Sequence, residues 1–99
     1  MQKELYFFPQ IKYDMQGGYD WYEARSRGLG EKFLSEVQKA IDRLRENPKL
    51  FAELHRGIRR SPVRRLPYGV FFREEEERLV VIAVGHLRRD LDFWKQRID

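Results

Sequence analysis

Residues 78–85 read RLVVIAVG, and this run constrains the fold more than any other stretch of the chain. From Leu79 to Val84 every residue is apolar and most are β-branched. A strand with one wet face alternates apolar and polar side chains, whereas an uninterrupted run fits a strand covered on both faces. Residues 78–85 are therefore expected to form the central strand of a sheet. At its end the chemistry changes abruptly. Gly85 removes a side chain, and His86, Arg88 and Arg89 follow at once. A rigid strand thus delivers one titratable imidazole and two permanent cations to a single edge of the fold, a place suited to chemistry or to gripping an anion.

The rest of the chain supplies what such a strand needs. Leu5–Phe8 reads as a short opening strand that Pro9 stops. Ile11, Met15, Gly18 and Tyr22 recur on one face of a helix, and Gly28 and Gly30 make a tight stop. Gly17 and Gly18 are unusual inside that helix, each costing about 1 kcal/mol against alanine. Phe33, Val37, Ala40, Ile41 and Leu44 form the apolar stripe of a second helix, closed by Asn47 and Pro48. So short a link between helices predicts an antiparallel hairpin. The aromatic residues Tyr19, Trp21 and Tyr22 have helical spacing, which favours packing over a binding platform.

Beyond Leu54 the pattern turns to strands. Pro62 and Pro67 exclude a helix over 58–66 and suggest an edge or a bulge. Tyr68–Arg73 is a second strand, Glu74–Glu77 a solvated hairpin tip, and Arg78–Gly85 the third strand of a meander. Trp94 and Ile98 fit a short helix over 91–98. His55, next to Arg56, is expected in a loop. The predicted order is strand, helix, helix, three strands, short helix. That is an α+β fold in two layers, with the helical hairpin packed on an antiparallel meander, in one domain over residues 1–99.

Charge narrows the function. The 99-residue chain carries a formal +4. Residues 1–54 hold nine basic and nine acidic side chains, so residues 55–99, with eleven and seven, hold the whole excess. From His55 to Arg73 there are six arginines and no acid. Arginine presents a planar fork matched to phosphate and carboxylate, which a purely solvating surface does not require. The candidate anion- or target-binding set is Arg59, Arg60, Arg64, Arg65, Arg73, Arg88, Arg89, Trp94 and Arg97. Trp94 also suits the core under the last helix. No apolar run reaches the ~18 residues of a membrane span, and no signal pattern opens the chain, so a cytoplasmic protein is expected. The sequence has no cysteine, and its two histidines lack clustered acids, so no disulfide, metal or cofactor is expected.

One chemistry and two binding roles remain open. Metal-independent RNA cleavage needs an acid, a base and cations around the phosphate. His86 is the natural acid–base candidate, with Glu23 or Glu53 as a possible base. His86 equally suits a structural role, locking the terminal segment onto the sheet beside Asp90 and Trp94. A protein inhibitor needs no such pair. An arginine face with a tryptophan anchor suffices, since those residues dominate binding hot spots. The arginines at 55–73 also permit a nucleic-acid-binding module, which no recognition motif supports.

Several pieces together resemble the RelE/ParE superfamily of type II toxin–antitoxin toxins, in its ParE-like branch. They are Trp21-Tyr22-Glu23, Gly28-Leu29-Gly30 with Phe33, Asn47-Pro48, Arg64-Arg65-Leu66-Pro67-Tyr68-Gly69-Val70 with Phe71 and Phe72, Ala83-Val84-Gly85-His86, and Arg88-Arg89-Asp90 with Trp94 and Arg97. The likeness covers nearly the whole chain. It implies a small basic toxin, of the kind encoded by plasmid stabilization loci, neutralised by a cognate antitoxin that is acidic and partly disordered when free. It implies one of two targets: DNA gyrase, as in the ParE branch, or mRNA on the ribosome, as in RelE-type endoribonucleases. Such nucleases often use a C-terminal tyrosine, and none follows Tyr68 here. Gyrase inhibition is therefore the first expectation. Gly17-Gly18, Leu66 in place of phenylalanine, and Leu91 in place of proline depart from the pattern.

Overall fold

A computed structural model describes residues 2–89 and 92–98. Strand β1 (Glu4–Phe7) leads into helices α1 (Ile11–Arg25) and α2 (Leu29–Glu46). A single 3-10 turn at Pro48–Leu50 follows. Then come β2 (Glu53–His55), β3 (Ile58–Pro62), β4 (Tyr68–Glu74), β5 (Arg78–His86) and the short helix α3 (Phe93–Gln96). The sheet runs β1-β5-β4-β3-β2, with β1 parallel to β5 and the other pairs antiparallel.

The apolar run in β5 finds the two covers that it requires. Leu79, Val81 and Val84 join the cluster beneath α1 and α2, which also holds Tyr22, Phe33, Val37, Leu44 and Phe72. Val80, Ile82 and Ala83 lie in the cluster on the other face, with Ile58, Phe71 and Trp94 of α3. Two successive residues share that face because β5 carries an extra residue. Phe71 pairs with Ala83 and Phe72 with Val81, which leaves Ile82 as a bulge.

The helical stripes pack as their periodicity requires. Gly18 lets the helices meet, since a Cβ there would lie 2.2 Å from the Phe33 ring. The turn between them is held by Glu23. Its carboxylate accepts the N–H groups of Gly28 and Gly30, both at 3.0 Å, and so caps the start of α2 from the end of α1. Ser61 Oγ donates to the Ala40 carbonyl at 2.9 Å and ties α2 to β3.

One strand escaped the sequence reading. His55 lies on β2, not in a loop, and so the sheet has five strands. Three residues are too few for a periodic signal, and the hairpin to β3 turns through Arg56 and Gly57, both at positive φ, as two-residue hairpins do. Pro62 is the last residue of β3, beyond the reach of β2. The tip after β4 is less solvated than expected. Glu74 accepts from Lys49 at 3.0 Å and pairs with Lys3 at 3.2 Å, while Glu75 binds Arg73 and Arg78. Asp90 and Leu91, which the sequence placed in the terminal segment, lie outside the described residues.

Candidate target-binding surface

The register of the sheet decides which arginines meet. Tyr68 pairs with His86, Gly69 with Gly85, and Pro62 with Gly69, so the end of β3, the start of β4 and the end of β5 share one end of the sheet. The loops that leave them run side by side, with the Leu87 N–H donating to the Pro67 carbonyl at 2.8 Å. Arg64 and Arg65 project from the first loop, Arg88 and Arg89 from the second, and all are exposed. The stem of Arg60 crosses Gly69 beside Leu87. No carboxylate among the described residues forms an ion pair with any of these five. Crowding of positive charge is felt nearby. Burial first, and then Arg64, lower the Arg43 guanidinium from its usual value.

Two backbone features present these cations. Arg65 has φ +70°, a left-handed conformation that costs a non-glycine residue roughly 1 kcal/mol. His86 Nδ1 accepts the N–H groups of Arg88 at 3.0 Å and Arg89 at 3.2 Å. Two donors at Nδ1 assign the proton of the neutral ring to Nε2. His86 also meets the Tyr68 ring edge-on at 5.3 Å. It shapes the turn that carries Arg88 and Arg89.

The other sequence candidates have internal partners. Arg59 donates to the Phe51 carbonyl, and Arg73 is held by Glu75 at the far end of the sheet. Trp94 is 4% exposed and stacks on Phe71, so it serves the core. Arg97 is clamped by Asp14, with Nη2–Oδ1 at 2.7 Å and Nη1–Oδ2 at 2.8 Å. This clamp completes the sheet. The last bond on that flank of β5 before it is from the Phe8 N–H to the Val81 carbonyl. Beyond it, Val84 N–H donates to Asp14 Oδ2 at 2.9 Å, and Arg97 donates to the Ile82 carbonyl at 3.0 Å. A salt bridge thus stands where a strand partner ends. Glu23, a possible base on sequence grounds, is occupied by the turn that it caps. Among the described residues no group of histidines and carboxylates is assembled for a metal.

Sequence reasoning missed a cleft beside this surface. About 350 Å³ in volume, it lies between α1 and the end of β5, and its lining includes Tyr13, Gly17, Trp21, Tyr68, His86 and Arg89. The guanidiniums of Arg25 and Arg89 lie over the Trp21 ring, 3.1 and 4.9 Å from its centroid. The i, i+4 spacing of Trp21 and Arg25 was the available signal.

An α+β domain with a helical hairpin on one face of a mostly antiparallel sheet, and a cationic sheet end, has the architecture of a RelE/ParE-type toxin. The sequence profile for the ParE toxin of the type II toxin-antitoxin system parDE matches residues 6–91, and the chain belongs to that family. Among solved structures it is similar to the chromosomal ParDE toxin–antitoxin system from P. aeruginosa. That match has 16% identity and a TM-score of 0.74, covering 86% of this chain and 96% of the other. A search of curated protein sequences finds no significant match. As a member of the family, the chain is the toxin of a type II pair and has an antitoxin partner. No helix among the described residues is long and apolar enough to cross a membrane.

Proposed function

We propose that this toxin inhibits DNA gyrase in the cytoplasm, and that the arginine end of the sheet is the surface it turns toward its target. The observation that carries the reading is the gathering of Arg64, Arg65, Arg88 and Arg89 on two adjoining loops, with Arg60 of β3 beside them, all without carboxylate partners among the described residues. Guanidiniums held in that state favour a negatively charged partner by steering and by paired hydrogen bonds. The RelE-like alternative, ribosome-dependent mRNA cleavage through His86, is less well supported. His86 Nδ1 is committed to two backbone donors and Glu23 to a turn.

The antitoxin is proposed to bind elsewhere, on the outer face of the helical hairpin. There Met15, Tyr19 and Leu34 line a groove of about 390 Å³ edged by Lys12 and Gln16. This groove suits an acidic amphipathic helix, which would leave the arginine end to be covered by a further segment. Gyrase supercoiling in vitro, with pulse-labelled translation in cells as the second readout, tests the proposal. Supercoiling should fail first, and an Arg88→Ala/Arg89→Ala variant should lose that inhibition while still binding antitoxin in a calorimeter. An early translation block with normal supercoiling would overturn it.

A further inference from the structure

The cleft beside the arginines has features that a protein-docking surface leaves unexplained. Gly17 lies in its lining, at an exposed position of α1. A Cβ at Gly17 would meet nothing within 4 Å, whereas the neighbouring Gly18 makes room for Phe33. A glycine in mid-helix without a packing reason is disfavoured, and here its bare backbone forms one wall of the cleft. The remaining lining is largely aromatic. Tyr13, 69% exposed, stands at the entrance, and Phe93 contributes a further ring, while the Trp21 ring already carries the Arg25 and Arg89 guanidiniums. The one carboxylate in the lining, Asp14, already accepts from Arg97 and from Val84 N–H, which balances its charge. Arg89 sits in the lining itself, with Arg88 next to it. Strained Arg65 lies on the adjoining loop.

Flat rings inside a cleft and guanidiniums at its rim are the two halves of nucleotide recognition. Bases stack on aromatic faces, and phosphates take forked hydrogen bonds from arginine. The volume matches the lower range of small-ligand pockets. We propose that this cleft binds one nucleotide, with its base against the rings of Tyr13 and Phe93 and its phosphate on Arg88 and on Arg89, whose guanidinium lies over Trp21. The ligand is either a free nucleoside phosphate or one unit of a single-stranded nucleic acid, since both offer the same base and phosphate. The site adjoins the proposed gyrase surface but does not rest on gyrase being the target.

The chain has two tryptophans. Trp94 is buried under Phe71, so Trp21 reports on the cleft. Tryptophan fluorescence of the purified toxin is titrated with GMP, inorganic phosphate, a twelve-residue oligothymidylate and an acidic peptide containing phenylalanine. GMP should give a saturable change that phosphate alone does not. Gly17→Leu, which fills the cleft from a position with open space, should weaken GMP binding about tenfold or more without lowering the melting temperature, and Arg89→Gln should weaken it by about tenfold. If the oligonucleotide binds more tightly than GMP with a steep salt dependence, the natural source is a strand; if it binds no better, the source is a free nucleotide. No saturable response to GMP or the oligonucleotide, binding unaffected by Gly17→Leu, or a response to the acidic peptide alone would each overturn the proposal. Gyrase inhibition by the same preparations is scored separately, so either reading can fail without the other.

Discussion

The Asp14–Arg97 clamp is the interaction whose removal the structure predicts most fully. Asp14 is on α1, Arg97 just beyond α3, and both bond the flank of β5 where β1 has ended. Their side chains are only 10% and 16% exposed. Asp14→Ala leaves a largely buried guanidinium without its counter-ion and the Val84 N–H without an acceptor. Loss of one partner from a buried pair costs about 3–5 kcal/mol, and the remaining exposure argues for the lower end, about 3 kcal/mol. With a urea m-value near 1.5 kcal/mol/M, the midpoint should fall by about 2 M. The melting temperature should fall by roughly 15 °C. Asp14→Asn keeps an acceptor for Val84 and loses only the charge, so it should fall between wild type and Asp14→Ala. In Asp14→Leu/Arg97→Met no charge is stranded. The two unpaired backbone groups still cost about 1–3 kcal/mol each, but the double variant should lose clearly less than the sum of Asp14→Leu and Arg97→Met. The assay is urea unfolding of all the variants, followed by near-ultraviolet circular dichroism of Trp94. A loss below about 1 kcal/mol for Asp14→Ala, or strictly additive losses in the cycle, would refute the view that this pair replaces a strand.

Other outcomes follow from single contacts. Gly17→Ala should stabilise the protein by about 0.5–1 kcal/mol, since its Cβ has open space in a helix, while Gly18→Ala should destabilise it by about 1–3 kcal/mol by driving into Phe33; thermal melts that failed to give opposite signs would contradict the helix crossing. Glu23→Ala uncaps α2 and should cost about 1–2 kcal/mol, recovered in part by Glu23→Gln, as chemical denaturation can show. Glu74 has its carboxyl lowered from the usual 4.5, chiefly by the hydrogen bond from Lys49 and further by Lys3. Its contribution is therefore present above the unperturbed carboxylate value and is lost as pH falls through the lower folded value. The stability gap between wild type and Glu74→Gln should close on acidification, and a gap that widened would show the sign to be wrong.

What could be read from the residues was whatever has a period or a composition. The α2 stripe, the doubly buried β5 and the hairpin of helices follow from spacing, and all are found. What could not be read depends on register. Arg73 and Arg89 look alike in sequence, yet one lies near the tip between β4 and β5, against Glu75, and the other in the loop beyond the opposite end of β5. Asp14 and Arg97 are 83 residues apart, and nothing in the sequence pairs them. Trp94 is a binding candidate in sequence because tryptophan serves interfaces as well as cores; the core under the last helix is its favoured single role there, and its stacking on Phe71 bears that out. The cleft was hidden for a related reason. Gly17 weakened the helix reading, but open space beside a glycine cannot be seen without the neighbours.

The division of charge along the sheet ties these observations together. At the β4–β5 tip, Lys3, Lys49, Arg73 and Arg78 surround Glu74 and Glu75, and both carboxyls are lowered, chiefly by hydrogen bonds from Lys49 and from Arg78. Cations there are matched by acids and leave little for a partner. At the other end the matching acids are missing among the described residues, and Arg65 occupies a conformation that glycine would hold more cheaply. Folding alone would favour glycine or asparagine at that position. Arg65 forms no ion pair with any described residue, which leaves its guanidinium open to an acidic partner. Gly17 likewise gives up helix propensity that alanine would supply. Strain and lost helix propensity fall on the two sides of one surface, which is where a partner that binds the arginines and enters the cleft would offset both.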